Sequence, residues 1–226
     1  MKQKMFFAAL LLCAASSVCA QTESYADSTE VRTSNEEVRK NWFVSASAGP
    51  QVLLSDHDKQ INMGRRISPA LDIAVGKWFK PWVGARLMYS GLSVKGATQN
   101  GAHTTGEDIK EKPQAGYWLE YQKFNMYHVH ADALFDLTNV FDEYNPERFY
   151  NCIVYAGIGV VGTGEEPTST NFAGNAGVLN TFRLDQNWGL NLDIRGVLVG
   201  DSFDGEEGGR SEGILNLTIG VTYTFN

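Results

Sequence analysis

"LNLTIGVTYTFN", residues 215–226, alternates without a break. Leu215, Leu217, Ile219, Val221, Tyr223 and Phe225 share one face. Asn216, Thr218, Gly220, Thr222 and Thr224 share the other. Successive side chains of a β-strand point to opposite sides, so a period of two means a strand with one apolar face. The fold depends on what that face touches.

The same period recurs upstream. Leu190, Leu192, Ile194 and Leu198 oppose Asn191, Asp193 and Arg195. Tyr127, Val129, Ala131, Ala133 and Phe135 oppose His128, His130 and Asp132. Val83, Ala85, Leu87 and Tyr89 oppose Gly84, Arg86 and Ser90. Leu71, Ile73 and Val75 oppose Ala70, Asp72 and Ala74. Trp42, Val44, Ala46 and Ala48 oppose Ser45, Ser47 and Gly49. Segments 149–162 and 173–184 alternate less cleanly. Eight strands are expected, with no helix of three turns. Connections are short near Lys80-Pro81 and Asp185–Asn187, and middling around "NVFDEYNPER". Long polar ones lie near 55–65, 96–116, 163–172 and 200–212. Short turns at one end and long loops at the other are the layout of an outer-membrane barrel. The expected fold is all-β: an eight-stranded antiparallel up-and-down transmembrane β-barrel over residues 41–226. An even strand number puts both termini on the short-turn side, which is periplasmic in such proteins.

The polar residues say which face is inside. A water-facing wall carries many lysines and glutamates. Here the polar faces of the strand middles hold mostly Gly, Ala, Ser, Thr and Asn, with lysine only at strand ends. Small polar side chains suit a narrow lumen. An arginine facing lipid costs about 2–4 kcal/mol at the midplane. Asp72, Arg86, His128, His130, Asp132, Asp193 and Arg195 are therefore expected inside, as a structural ionic network at one height. Asp72–Arg86 or Arg86–Asp132 would pair between neighbouring strands, and Asp193 or Arg195 would reach across. Trp42, Trp78, Trp82, Trp188, Tyr223 and Phe225 cluster near the short-turn ends. They are expected to form a periplasmic aromatic girdle.

Residues 1–20, "MKQKMFFAALLLCAASSVCA", order two lysines, an apolar run and small residues, and are read as a cleaved secretory signal. Val18 before Cys19 argues against a lipoprotein anchor. Residues 21–40 are polar and aperiodic, read as a flexible periplasmic tail. Cys13 and Cys19 leave with the signal, so Cys152 alone remains and no intramolecular disulfide is expected. Basic residues number 19 against 26 acidic ones, a formal net charge of −7. No basic stripe points to nucleic acid.

"YAGIGVVG", residues 155–162, has the Gly157-x-Gly159-x-x-Gly162 spacing of a dinucleotide turn. Such a site needs a helix to follow, whose N-terminus meets the pyrophosphate. "TGEEPTSTNF" follows instead, with a proline and no helical period. Gly157 and Gly159 share a face with Tyr155, so the reading is strand glycines that make room inside. No cofactor is expected. His128, His130 and Asp132 could offer three donors to a metal such as zinc, or a base with its orienting carboxylate. A buried polar network is the preferred reading, with no metal and no catalytic residue. Ser45 and Ser47 face inward, but no spacing ties them to a histidine. Cys152 lies on the apolar face. "TQNGAHTTGEDIKEKPQAG" and the acidic "DSFDGEEGGRSEG" read as solvated loops that could touch a partner.

"NWFVSASAGPQ", "AVGKWFKPWVGARLMYSG", "YHVHADALFDLTNVFDEYNPERFYNCIVYAGIGV" and "NAGVLNTFRLDQNWGLNLDIRG" resemble the membrane barrel of OmpA-like proteins of Bacteroidota. The "VGKWFKP" turn and the "DLTN…YNPERFY" connection are the most specific parts. The resemblance spans roughly residues 41–226 and implies an eight-stranded outer-membrane barrel with surface loops. Many such proteins continue into a peptidoglycan-binding domain, and the expectation here is the membrane domain only. The closing "TYTFN" partly resembles the strand signal read by the barrel assembly machinery. "DST" at Asp27–Thr29 resembles a short O-glycosylation motif of that phylum. The expected function is a non-enzymatic integral outer-membrane protein with a filled lumen, serving envelope integrity or loop-mediated contacts with host or surface ligands. The alternatives are a narrow pore for small solutes, a soluble periplasmic ligand-binding barrel and, last, an outer-membrane hydrolase.

Overall fold

The computed structural model describes residues 41–225 apart from 56, 58–59, 110–118, 143, 201–202 and 206–211. The expected signal, tail, "DST" motif and Asn226 lie outside the described residues. The strands are β1 (Trp42–Leu54), β2 (Ile67–Lys80), β3 (Val83–Thr98), β4 (Thr104–Asp108), β5 (Glu120–Asp136), β6 (Tyr150–Thr163), β7 (Thr170–Arg183), β8 (Trp188–Val199) and β9 (Glu212–Phe225). Two short helices, α1 (Met63–Arg66) and α2 (Leu137–Phe141), sit in connections.

All pairings are antiparallel, in the order β3-β2-β1-β9-β8-β7-β6-β5-β4. A further ladder between β3 and β5, from Val83↔Phe135 to Thr98↔Glu120, closes the sheet into an eight-stranded barrel. Closure leaves no barrel edge with unpaired backbone groups. Trp42 pairs with Phe225, so the first and last strands begin and end at the short-turn end.

Three departures from the sequence reading concern connections and faces. β4 lies in a stretch expected to be loop. All five of its residues are exposed, so "TTGED" has no apolar face for a period to reveal. It pairs with Gln122 and Glu120 of β5, beyond the last β6 partner at Met126. The loop expected at 163–172 shortens to 164–169, because β6 runs to Thr163 and β7 starts at Thr170. Trp78 leaves the expected girdle. It shares the inward parity of Asp72 and Gly76 and packs on Phe43, ring centroids 6.2 Å apart.

The interior is layered. Phe43, Leu134, Ile153, Tyr155 and Leu179, with Trp78 against them, fill the short-turn end. Leu53, Val94, Phe124, Met126, Val161, Val197, Phe203 and Ile214 fill the long-loop end. Ionic side chains lie between. The outside is the reverse: Phe172, Ile158, Leu198 and Ile219 are exposed at 89, 77, 70 and 56%.

Gly157 and Gly159 serve this interior. A Cβ on Gly157 would stand 2.1 Å from Asp132 Oδ1 and 2.4 Å from the Ala131 carbonyl. On Gly159 it would stand 2.3 Å from the Val129 carbonyl. The glycines let β6 lie close to β5, and no helix follows them.

Candidate functional site: a buried ionic layer beneath a loop cap

The strands carry the ionic residues inward by parity and bring them to one height by register. Arg86 stands directly opposite Asp132 in the β3–β5 ladder. Its Nε donates to Asp132 Oδ2 at 2.7 Å. Its Nη1 and Nη2 each reach Asp193 Oδ2 at 3.3 Å, across the lumen on β8. The guanidinium lies 4.1 Å from the Tyr155 ring centre, and Tyr155 donates its hydroxyl to Asp193 Oδ1 at 2.5 Å. A second set surrounds Asp72. Arg195 Nη2 donates to Asp72 Oδ1 at 2.9 Å and to Ser90 Oγ at 2.8 Å. Ser90 donates to Asp72 Oδ1, and Thr218 to Oδ2 at 3.1 Å.

Of the two neighbouring-strand pairs expected for Arg86, the one with Asp132 forms and the one with Asp72 does not. Asp72 is registered with Ser90, whereas Arg86 is registered with Gly76, four residues along β2. Arg86 therefore joins its neighbour Asp132 to Asp193 across the barrel, and Arg195 crosses to Asp72. Arg86 and Arg195 face Asp72, Asp132 and Asp193, all at most 4% exposed. Buried charges persist when each is paired and its remaining lone pairs are hydrogen-bonded.

His130 Nδ1 bonds Asp132 Oδ1 at 2.7 Å, and Asn175 Nδ2 donates to the same oxygen at 2.7 Å. The rings of His128 and His130 stack, centroids 4.2 Å apart. Both Nε2 atoms are buried without a hydrogen-bond partner. Asp132 is held by Arg86, His130 and Asn175, and the rings lie side by side. Among the described residues, no three His, Cys, Asp or Glu side chains converge to hold a metal. Ser45 and Ser47 are on the inner face of β1, and Cys152 is half-buried on the outer face of β6. The sequence reading does not single out Tyr155, Ser90, Asn175 or Thr218 as members of the layer. Their inward parity is the signal that could have found them.

Trp42, Trp82, Trp188 and Phe225 are exposed at the short-turn end, and Tyr223 is half-buried there. Tyr223 packs edge-on to Trp188 and Phe225 at 5.0 and 5.1 Å. Lys77 lies over Trp42 and Lys80 over Trp82.

At the other end the loops are stitched to each other. Asn100 Nδ2 donates to the Gly205 carbonyl at 2.8 Å, and Ser169 Oγ to the Phe203 carbonyl at 2.9 Å. Phe203 drops onto Phe124 at 5.5 Å. His103 also stacks on Phe124, at 4.4 Å, and its carbonyl accepts from Lys123 N at 3.0 Å. Burial lowers the His103 pKa below its ordinary 6.5. Ile61, Ala97, Ile109 and Leu119 form a small core of their own in this cap.

Solved outer-membrane structures share this closed barrel of eight antiparallel strands. The fold is that of the OmpA-like outer-membrane barrels. Neisserial surface protein A matches with a TM-score of 0.52 at 13% identity, over 81% of this chain and 97% of that one. A major outer membrane protein of Thermus thermophilus matches at 0.50 and 15% identity, over 82% of this chain and 99% of that one. In sequence, outer membrane protein 40 of Porphyromonas gingivalis is 26% identical over 201 residues, 83% of this chain. The chain spans 48% of that relative's length. No family model matches the chain. The chain is thus similar over most of its length to a Bacteroidota outer membrane protein.

Proposed function

We propose that this chain is a non-enzymatic integral outer-membrane protein whose barrel is a filled scaffold, with both termini periplasmic and the long loops outside the cell. One observation carries the reading. Apolar side chains are exposed all around the barrel while five ionised side chains are buried in its middle. Water would reverse that arrangement, and hydrocarbon favours it. It opposes a soluble ligand carrier. The layering supports a plug over a pore: a solute would have to pass Phe124 and Phe203, then the ion pairs, then Phe43 and Leu134. An eight-stranded barrel is just wide enough for side chains to fill it. Among the described residues the hydroxyl beside a carboxylate, Ser90 on Asp72, is tied with that carboxylate to Arg195, which favours a structural role over hydrolysis. The partners this implies are outer-membrane lipid, the barrel assembly machinery during insertion, and surface or host ligands reached through the loop cap.

Electrophoresis of outer-membrane fractions, boiled and unboiled, tests the barrel. Two mobilities support it; a single mobility in a carbonate-soluble fraction overturns it. Planar-bilayer recording tests the plug, and steady single-channel current would favour the pore instead.

A further inference from the structure

The apolar belt of the outer surface ends at the long-loop end in a pair of like charges. Lys95 of β3 and Lys123 of β5 are directly opposite in the ladder, on the outward parity of Gly91 and Tyr127. Side chains so paired have Cβ atoms about 5 Å apart, and like charges there destabilise a sheet. The chain is acidic overall, so carboxylates to separate or neutralise them are plentiful. None does. Among the described residues neither ammonium has an ion pair. The nearby acids are engaged elsewhere: Glu107 by Arg65 at 3.1 Å, Glu165 by Asn125 at 2.6 Å, and Glu120 by Thr104. Arg65, already paired with Glu107, lies 4.8 Å from the ring centre of Tyr121 on the same outer column of β5.

The height of the pair says what neutralises it. Lys123 lies four residues beyond Tyr127, the last aromatic of the apolar column Val129, Ala131, Ala133 and Phe135. At about 3.3 Å per residue and a tilt near 45°, that is roughly 10 Å above the hydrocarbon edge. Lysine stems bend back toward the headgroups from such a position. The geometry points to a clamp in which Lys95 and Lys123 together bind the phosphate of a lipid headgroup in the outer leaflet. Two ammoniums on flexible stems rooted about 5 Å apart can close on one phosphate monoester, which carries nearly two charges. The inference rests on the proposed membrane orientation.

Native mass spectrometry of the full chain tests it, with lipid A carrying its phosphates and the same lipid with them removed as probes. The wild type should retain the phosphorylated form selectively. Lys95→Gln with Lys123→Gln should weaken that binding about thirtyfold, on about fivefold per lysine near an anionic surface. Lys77→Gln, at the opposite end, should bind as wild type does. Equal retention of both lipids, or unchanged binding by the double variant, overturns the clamp. Displacement by millimolar inorganic phosphate overturns the lipid as its occupant. Boiled and unboiled mobilities of each variant check folding. A chain that never inserts into vesicles refutes the membrane reading itself, whereas one that inserts without selectivity refutes only the clamp.

Discussion

Replacing Arg86 with methionine probes the ionic layer most directly. Methionine keeps an unbranched apolar stem and removes the charged guanidinium. Asp132 and Asp193 then lose their shared cation, at sites 3 and 4% exposed. Breaking a buried ion pair by removing one partner costs about 3–5 kcal/mol. Asp132 retains His130 and Asn175, and Asp193 retains Tyr155, so the lower end applies, about 3 kcal/mol. Urea unfolding in phosphatidylcholine vesicles, followed by tryptophan fluorescence, measures the loss. Adding Asp132→Asn and Asp193→Asn removes the stranded charges and should restore stability to within about 1 kcal/mol, because a neutral core often replaces a buried pair without cost. Two results would refute the reasoning. One is an Arg86→Met loss under about 1 kcal/mol, meaning that water screens the layer and the lumen is wet. The other is a triple variant no more stable than the single, meaning that packing rather than charge accounts for the loss.

Leu217 faces outward at mid-strand, so Leu217→Arg should cost about 2–4 kcal/mol in the same vesicle assay, and a neutral result would place the lipid boundary wrongly. Gly157→Ala should destabilise by about 1–3 kcal/mol, since its Cβ would meet the Ala131 carbonyl and Asp132. Thermal unfolding monitored by gel mobility checks it, and wild-type behaviour would mean that β5 and β6 can separate freely. His103 has a folded pKa below its unfolded value of 6.5, so its contribution to the cap is complete above that value. The contribution falls as pH drops below 6.5 toward the folded value. Exchange of the Lys123 amide, corrected for intrinsic rate, should therefore be faster at pH 5 than at pH 7.5. His103→Phe should remove the difference, and its persistence would assign the effect to another group.

Much of this protein was determined by its sequence alone. Eight barrel strands and the sorting of their side chains onto two faces follow from a period of two, a local property of the pleat, and the small, sparsely charged polar residues say which face is inside. The inward placement of Arg86, Asp132, Asp193 and Arg195 follows in the same way. Segments 149–162 and 173–184 are harder to read because Ile153, Tyr155 and Leu179 put apolar side chains on the inner face too, blurring the contrast. Distance from a turn assigns Trp78 to the girdle, yet its parity sends it inward onto Phe43. Only the tertiary structure decided the pairing: Asp72 with Arg195, Arg86 with Asp132 and Asp193, and Tyr155 beneath them. Partners across a closed barrel are set by register and by the curvature that brings β3 to β5. No spacing along one chain encodes a distance measured through the lumen.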